Sequence, residues 1–372
     1  GKPKVRSELF VRPRNKAAEI WNGKRFGTKG AVRSFGVDEA HEIGQFEKVV
    51  ADRSARHERV FLTLGQDERL DRRVFDIFRK LAFTLRKRAA PAHPVLQDPS
   101  PVLAKMRCIK DDAEIAFLRE AARISAEGHL AAMRAGRPGA NEYELQAAME
   151  QVFRSQGSKR NGYDSIVASG PNACILHYHE NDRKTRRGDL VLIDAGAEFG
   201  GYTADITRTW PVSGHFDDAQ KLVYQLVLKA QKAAIRSVQV GKPVDTPHKV
   251  TIRTLTRGLI DLGFLKGNVQ KLIADQAYRE FYMHGTSHYL GRDVHAEGAY
   301  ELPNGKPARF EPGMVLPVAP GLYFDPSDKE IDSEFRGIGV RIEDDVLVTT
   351  DGPELLTDGV PQELQDIERI CS

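Results

Sequence analysis

The chain of 372 residues contains one sequence unit twice, and this duplication is the feature that most constrains its fold. Ala135-Gly136-Arg137-Pro138 separates two helical patterns in the first copy, and Val240-Gly241-Lys242-Pro243 does so in the second. Glycine and proline end and begin helices, so each copy predicts a helix pair. A similar apolar strand follows each pair, over residues 188–196 and 313–321. The sequence therefore predicts one α+β domain with pseudo-twofold symmetry and a cleft where the copies meet.

The residues before this duplicated region predict a smaller, mixed α/β domain. Leu9-Phe10-Val11 and the segment from Val60 to Leu64 have strand character, and Leu70 to Leu85 carries apolar residues at helical spacing. The proline-rich stretch from Ala89 to Pro94, with Pro99-Ser100-Pro101, predicts a linker without regular structure. We therefore expect two domains, over residues 1–103 and 104–372.

The composition excludes several classes of protein. Hydrophobic residues make up 41% and charged residues 29%, which is typical of a globular protein. No apolar run reaches the roughly 18 residues of a membrane span, and the first residues lack the apolar region of a signal peptide. The three cysteines, Cys108, Cys174 and Cys371, lack metal-site spacing and favour a reducing compartment, so we expect a cytoplasmic protein.

The charge pattern gives no indication of a nucleic-acid partner. The net charge is only +3, and the eight Lys and Arg residues between Arg69 and Arg88 are most simply the solvated face of a helix. We therefore expect neither a nucleic acid nor a membrane as a partner.

Two carboxylates in the first copy form a candidate metal site. An apolar strand ends at Asp194, a glycine-rich turn reverses the chain, and the returning segment carries Asp205. The two acids would repel each other across this hairpin, whereas a shared divalent cation stabilises both charged forms. They could equally be polar residues at strand ends with backbone partners, and this stretch alone does not decide between the two interpretations.

The second copy contains a separate polar cluster. His284, His288 and His295 account for three of the eleven histidines and lie within twelve residues. A single histidine is more often a buried structural residue than a ligand, but this density favours a functional site. Strand alternation also places Arg341 and Glu343 on one face, where a surface strand would carry an ordinary charge pair.

Several of these segments together resemble a known family. Residues 284–295, residues 192–196 with 204–209, and residues 337–345 are similar to the Xaa-Pro aminopeptidase (aminopeptidase P) and prolidase group of pita-bread metallopeptidases. The similarity extends to Glu19–Gly27 and is to the bacterial aminopeptidase P type. It implies a pita-bread catalytic domain after a creatinase-like N-terminal domain, which here looks incomplete.

The resemblance also implies an activity and a site. The activity is metal-dependent hydrolysis of the bond between an N-terminal residue and proline, in peptides with proline in second position, by a homo-oligomer. The implied cofactor is a dinuclear manganese centre. Its ligands here would be Asp194, Asp205, His288 and Glu343. The residues implied to handle substrate and protons are His177, His284, His295 and Arg341, with Tyr323 in substrate binding.

One position departs from the family pattern. Ala319 stands where the family has a glutamate ligand, and also where the duplication aligns Asp194. We expect the ion held by Asp205, His288 and Glu343 to bind weakly, the ion near Asp194 to persist, and activity to be reduced. The alternative is a catalytically inactive binding protein with a peptidase fold. A metal-independent hydrolase of the creatinase type is disfavoured by the retained carboxylates.

Overall fold

The polypeptide divides into two units, Gly1–Leu103 and Ala104–Ser372, in a computed structural model that describes residues 6–85, 94–302 and 304–372. The described residues of the first unit form short strands and α-helices, and a further α-helix crosses the boundary between the units. In chain order they are β1 (Glu8–Val11), α1 (Lys16–Asn22), α2 (Gly27–Phe35), β2 (Glu39–Glu42), α3 (Phe46–Ser54), β3 (Arg59–Phe61), α4 (Glu68–Leu85), β4 (Val95–Gln97) and α5 (Ser100–Cys108).

The strands of the first unit pair in parallel, β1 with β2 and β3 with β4. The core lies along α4, whose Val74, Ile77, Phe78 and Leu81 are buried at the helical spacing predicted from the sequence. This unit is therefore a small mixed α/β structure.

The predicted linker is wrong in part: Pro94 and Pro99 lie outside helices and strands, but Ser100 and Pro101 belong to α5. Residues 94–101 include β4, and Ser100 begins α5. Pro101 is compatible with this helix because the first helical turn does not need its backbone N–H as a donor. The segment from Ala89 to His93 lies outside the described residues.

The second unit repeats the order of a helix pair followed by strands. Its elements are α6 (Asp112–Ala135), α7 (Glu142–Ser155), β5 (Ile166–Ser169), β6 (Leu190–Asp194), β7 (Glu198–Phe199), β8 (Tyr202–Thr203), β9 (Thr207–Pro211), α8 (Asp218–Ser237), α9 (Thr246–Asp261), α10 (Val269–Ala274), β10 (Val315–Val318), β11 (Gly321–Tyr323), β12 (Gly339–Arg341), β13 (Asp344–Thr349), β14 (Gly352–Leu355) and α11 (Leu364–Cys371). In the part of the chain that the structure describes, no helix is long and apolar enough to cross a bilayer.

Each helix pair packs closely at a glycine. A Cβ added to Gly128 of α6 would lie 2.3 Å from the Phe153 ring of α7. In the second pair, a Cβ on Gly258 of α9 would lie 2.2 Å from Leu226 of α8. Both distances are shorter than van der Waals contact. Each helix pair can therefore pack this closely only because glycine has no side chain at that position.

A three-stranded antiparallel sheet follows each helix pair, in the order β5-β6-β9 in the first half and β10-β13-β14 in the second. The halves join where the Glu343 amide donates to the Thr207 carbonyl at 3.0 Å. Next to this junction, the Arg208 guanidinium contacts Asp344 at 2.6 Å, and both side chains are fully buried. Three further donors, from Gln231, Thr357 and Gln362, saturate the Asp344 carboxylate.

We predict that Arg208→Met lowers the free energy of unfolding by about 3–5 kcal/mol, because it leaves the Asp344 charge buried without its cation. The matched control is Arg119→Met. Arg119 pairs with Glu354 on the surface, where the two side chains are 52% and 42% exposed, and this loss should stay below about 1 kcal/mol. Urea titrations followed by circular dichroism measure both values, and equal losses would contradict the assignment.

Candidate active site

A cavity of about 530 Å³ opens in the second unit. It is lined by residues from both copies of the repeat, including side chains from each of the polar clusters found in the sequence. The lining residues include His177, His179, Asp194, Asp205, His284, His288, His295, Ala319, Arg341 and Glu343. Tyr323, predicted to bind substrate, is 2% exposed and contacts two of these side chains.

The two aspartates are brought together by the predicted hairpin. Asp194 ends β6 opposite Thr207 of β9, and Asp205 lies just before β9. Gly196 makes the close crossing of the two segments possible, because a Cβ there would lie 1.8 Å from the Ala204 carbonyl oxygen. The glycine after Asp194 is therefore a steric requirement of this site.

Tyr163 links the two aspartates. Its hydroxyl lies 2.8 Å from Asp194 Oδ1 and 2.6 Å from Asp205 Oδ1. Burial and the charges of both aspartates raise the pKa of Tyr163, so it keeps its proton. The phenol has a single proton, which it shares between the two carboxylates or donates to one of them at a time.

Asp205, His288 and Glu343 offer a set of donor atoms that fits a divalent cation. One ligand atom from each lies within 4.8 Å of the others, and His288 Nε2 is 3.4 Å from Asp205 Oδ2. Two carboxylates and one imidazole are donors that hard or borderline divalent ions accept. The Thr207 hydroxyl donates to Glu343 Oε2 at 2.7 Å and fixes that carboxylate.

The electrostatics of this cluster also favour a bound cation. Burial and the charges of Asp205 and Asp194 raise the pKa of Glu343 well above its usual range, and Arg341 and Thr207 offset only part of this. Burial likewise raises the pKa of Asp205 despite its hydrogen bond with His288. For His288, burial lowers the pKa, but the hydrogen bond and charge of Asp205 outweigh it and raise the net value. A divalent cation would allow all three side chains to reach their coordinating forms.

Asp194 lies in the same cavity but is paired differently. Arg341 Nη2 donates to Asp194 Oδ2 at 2.8 Å, and Tyr163 contacts the other oxygen. The expectation that the ion near Asp194 persists stays a prediction. The donor cluster that forms is the one containing His288, because the Arg341 guanidinium already supplies Asp194 with a positive charge.

His284 is held as a neutral imidazole. Its Nδ1 lies 2.8 Å from the Gly285 carbonyl oxygen and must donate there, so Nε2 accepts from the Tyr323 hydroxyl at 2.8 Å. Tyr323 in turn accepts from Arg341 Nη1 at 3.0 Å. Burial and the charge of Arg341 lower the pKa of His284 to about 4, which keeps the ring uncharged at neutral pH.

The other two predicted histidines are exposed at the cavity. His295 stands edge-on to His288, with ring centroids 4.3 Å apart, and burial and the His288 charge lower its pKa. His177 lies beside His179, with ring centroids 6.4 Å apart. The structure thus brings all eight predicted catalytic and metal residues to one cavity, and Ala319, which replaces the expected acid, faces the same space.

Three contributing residues were missed from the sequence. Tyr163 lies in a loop without a periodic pattern, so no sequence signal marked it. Thr207 follows Asp205 by two residues, a strand period that indicates a shared face. Asp345 follows Glu343 by two residues, the same strand period, and accepts a hydrogen bond from the Asp205 amide at 3.0 Å.

A second acidic cluster occurs in the first unit, where ligand atoms of Glu8, Glu39 and His41 also lie within 4.8 Å of one another. Arg53 Nε contacts Glu8 at 2.7 Å, and Arg6 contacts Glu39 at 3.0 Å. These carboxylates already have cationic partners, so this cluster fits a metal ion less well than the cavity does.

Family comparison agrees with this site. The model of metallopeptidase family M24 matches residues 116–350, and the model of the aminopeptidase P N-terminal domain matches residues 1–61. Because the first match covers more than half of the chain, the protein belongs to metallopeptidase family M24.

The names of individual relatives indicate a more specific class within this family. The chain is 42% identical to Xaa-Pro aminopeptidases of Haemophilus influenzae and Escherichia coli, over 98% of its own length and 81% and 82% of theirs. Among solved structures, it is similar to Pseudomonas aeruginosa aminopeptidase PepP, with a TM-score of 0.96, 42% identity, and coverage of 100% of this chain and 84% of that one. These neighbours confirm the predicted resemblance and the pita-bread fold class.

The raised pKa of Glu343 predicts how pH and metal ions affect stability. A carboxyl group that holds its proton more tightly when folded stabilises the folded state at low pH, and this contribution is lost as pH rises through the folded pKa. As the pH rises from the ordinary pKa of a glutamate towards the raised pKa of Glu343, we expect the metal-free protein to lose up to about 1.4 kcal/mol of unfolding free energy per pH unit. A divalent ion should reverse the loss.

The measurement is urea unfolding from about pH 5 to about pH 9 with EDTA and with Mn²⁺. Glu343→Gln is the control, because it keeps the shape of the side chain without a titrating group. The variant should show a shallower pH dependence and a smaller response to the metal. Identical behaviour of the variant and the original chain would contradict a cation site at Glu343.

Proposed function

We propose that this chain is an Xaa-Pro aminopeptidase, which hydrolyses the bond between an N-terminal residue and a proline in second position. The observation that carries the proposal is the convergence of ligand atoms from Asp205, His288 and Glu343 within 4.8 Å, in a cavity large enough for a short peptide. The names of the relatives supply the substrate class.

We further propose Mn²⁺ as the cofactor, because oxygen-rich donors with one imidazole suit such an ion. Asp205, His288 and Glu343 would hold one ion, and Asp194 would share a second with Asp205 and Glu343. When bound, the metal lowers the pKa of a water molecule and polarises the scissile carbonyl group.

The side chains of the cavity supply binding and proton transfer. Arg341 and Tyr323 fix His284 as a neutral ring, so His284 can orient the substrate without adding a positive charge. His177 and His295 are exposed and face the cavity, which suits the transfer of a proton to the leaving proline nitrogen. Asp164, which also lines the cavity, adds a carboxylate that can attract a free peptide amine.

Proline in second position explains why a separate enzyme is needed for this bond. Its tertiary amide has no N–H, and its ring fixes the backbone angle φ. A peptidase that binds its substrate as an extended strand needs that N–H as a donor. In the present cavity, the N-terminal residues would instead meet charged and polar side chains such as those of Asp164, His284 and Arg341.

Three broader proposals accompany this function. Residues 1–103 form the N-terminal domain and residues 104–372 the catalytic domain, in line with the two units of the structure. The homo-oligomeric state stays a prediction from the family resemblance. The cytoplasmic location stays a prediction from cysteine usage.

Substitution of Ala319 distinguishes an enzyme with reduced activity from an inactive binding protein. We predict that Ala319→Glu raises the Mn²⁺ content and increases the rate of Xaa-Pro peptide hydrolysis by about 10²–10⁴-fold, since it adds a carboxylate where one is missing. Metal analysis of the purified protein and peptide hydrolysis assays measure the two effects.

The control is Ala319→Gln, which adds a similar volume without the charge and should leave the metal content and rate near those of the original chain. If Ala319→Glu changes neither quantity, the interpretation as an impaired peptidase fails. The binding-protein alternative then stands, and peptide binding by the unmodified chain would be measured directly.

A further inference from the structure

A histidine outside the predicted site supports the wall of the cavity from behind. His248 lies in the first turn of α9, and its Nδ1 is 2.8 Å from the Thr286 hydroxyl. The same hydroxyl is 2.7 Å from the hydroxyl of Tyr282, whose side chain is fully buried. His248, Thr286 and Tyr282 therefore form a continuous hydrogen-bonded group, which we name the rear triad.

The rear triad holds a segment whose two ends carry site residues. Thr286 stands between His284 and His288 in the chain, and its carbonyl oxygen accepts from the Ala319 amide at 2.7 Å. The Tyr282 ring packs edge-on against the His284 ring, with centroids 4.7 Å apart. A shift of Thr286 would therefore move the segment between the two histidines.

The direction of the hydrogen bonds depends on His248. Thr286 has one hydroxyl proton and can donate it to only one of its two neighbours. When His248 is neutral with its proton on Nε2, Nδ1 accepts from Thr286, and Thr286 accepts from Tyr282. When His248 is protonated, Nδ1 must donate, so Thr286 must donate to Tyr282 and the buried Tyr282 proton loses this acceptor.

We propose that His248 is a positioning residue for the peptidase reaction, which acts by anchoring Thr286 and thereby fixing the orientation of His284. This inference rests on the proposed function for its effect on catalysis. The geometric part, that His248 controls the environment of His284, is independent of any activity. His248 itself does not line the cavity, so its role is indirect.

The charges that face His248 favour its neutral form. Burial and the charge of Arg279 lower its pKa, and Asp245 offsets part of this. From the rear triad, Tyr282 faces the ring as an uncharged phenol, and the neutral His284 lies beyond it. His248 is therefore neutral at neutral pH, and in the tautomer with its proton on Nε2, acidification through the His248 pKa would reverse the hydrogen bonds.

Two variants of His248 test the proposal. His248→Asn keeps a hydrogen-bonding atom near the Nδ1 position without a titrating group, whereas His248→Leu removes it. We expect His248→Leu to lower kcat by about 10–100-fold with a smaller change in KM, the range caused by a misplacement of about 1 Å. His248→Asn should stay within about threefold of the original chain and lose one step in the acid limb of the pH profile.

The second readout is NMR of protein labelled at the histidine rings. As the pH is varied, the chemical shift of the His284 ring should change in a step at the pKa of His248. This step should be absent in His248→Asn. Thr286→Val, which removes the hydroxyl at nearly constant shape, should reproduce the kinetic effect of His248→Leu if the latter does not fold. Unchanged kcat in both variants, or an unchanged His284 titration in His248→Asn, would overturn the proposal.

The NMR and kinetic measurements distinguish failure of the proposed function from failure of the positioning role of His248. If the original chain does not cleave Xaa-Pro peptides at all, the proposed function fails, while the His284 titration still decides whether His248 controls that ring. If the chain cleaves the peptides and the His284 step is absent, the positioning role alone is wrong.

Discussion

The buried ion pair between Arg208 and Asp344 is the interaction on which the site most depends. Besides Asp344, the guanidinium donates to the carbonyl groups of Thr207 and Glu343, at 3.0 and 2.7 Å. It also reaches the carbonyl groups of Val360 and Pro361 near the C-terminus. The planar guanidinium of Arg208, with its five donors, thus joins strand β9 of the first half to Glu343, a candidate metal ligand in the second half. The cost of burying both charges is offset because every oxygen of Asp344 has a donor.

This rigid junction holds carboxylates that repel one another. Asp194, Asp205 and Glu343 line one cavity. Burial raises the pKa of Asp205 and of Glu343, and the charges of neighbouring carboxylates raise both further. Arg341 relieves Asp194, whereas Asp205 and Glu343 keep an arrangement that a cation would complete. The fold therefore buries carboxylates together at the candidate metal site, and Ala319, which lines the same cavity, adds no negative charge there.

Much of this arrangement followed from the sequence because it depends on local patterns. The duplicated Gly-basic-Pro units predicted both helix pairs, and strand alternation with a glycine turn placed Asp194 near Asp205. The contacts of Tyr163 with Asp194 and Asp205, and of His248 with Thr286, could not be predicted, because they join residues that are distant in the chain. The linker prediction failed at Pro101, since proline opens helices as readily as it interrupts them. The pairing of Asp194 with Arg341 could not be predicted from the sequence either. Strand alternation placed Arg341 on the same face as Glu343, but it gave no information about the strand that lies opposite.

The central claim is that Asp205, His288 and Glu343 form a divalent cation site in this chain as it stands. Anomalous X-ray diffraction from crystals equilibrated with Mn²⁺ tests it most directly. We expect an anomalous peak in the cavity, within about 2.2 Å of ligand atoms from all three side chains. A peak confined to the cluster of Glu8, Glu39 and His41, or no peak in the cavity at millimolar Mn²⁺, would contradict it.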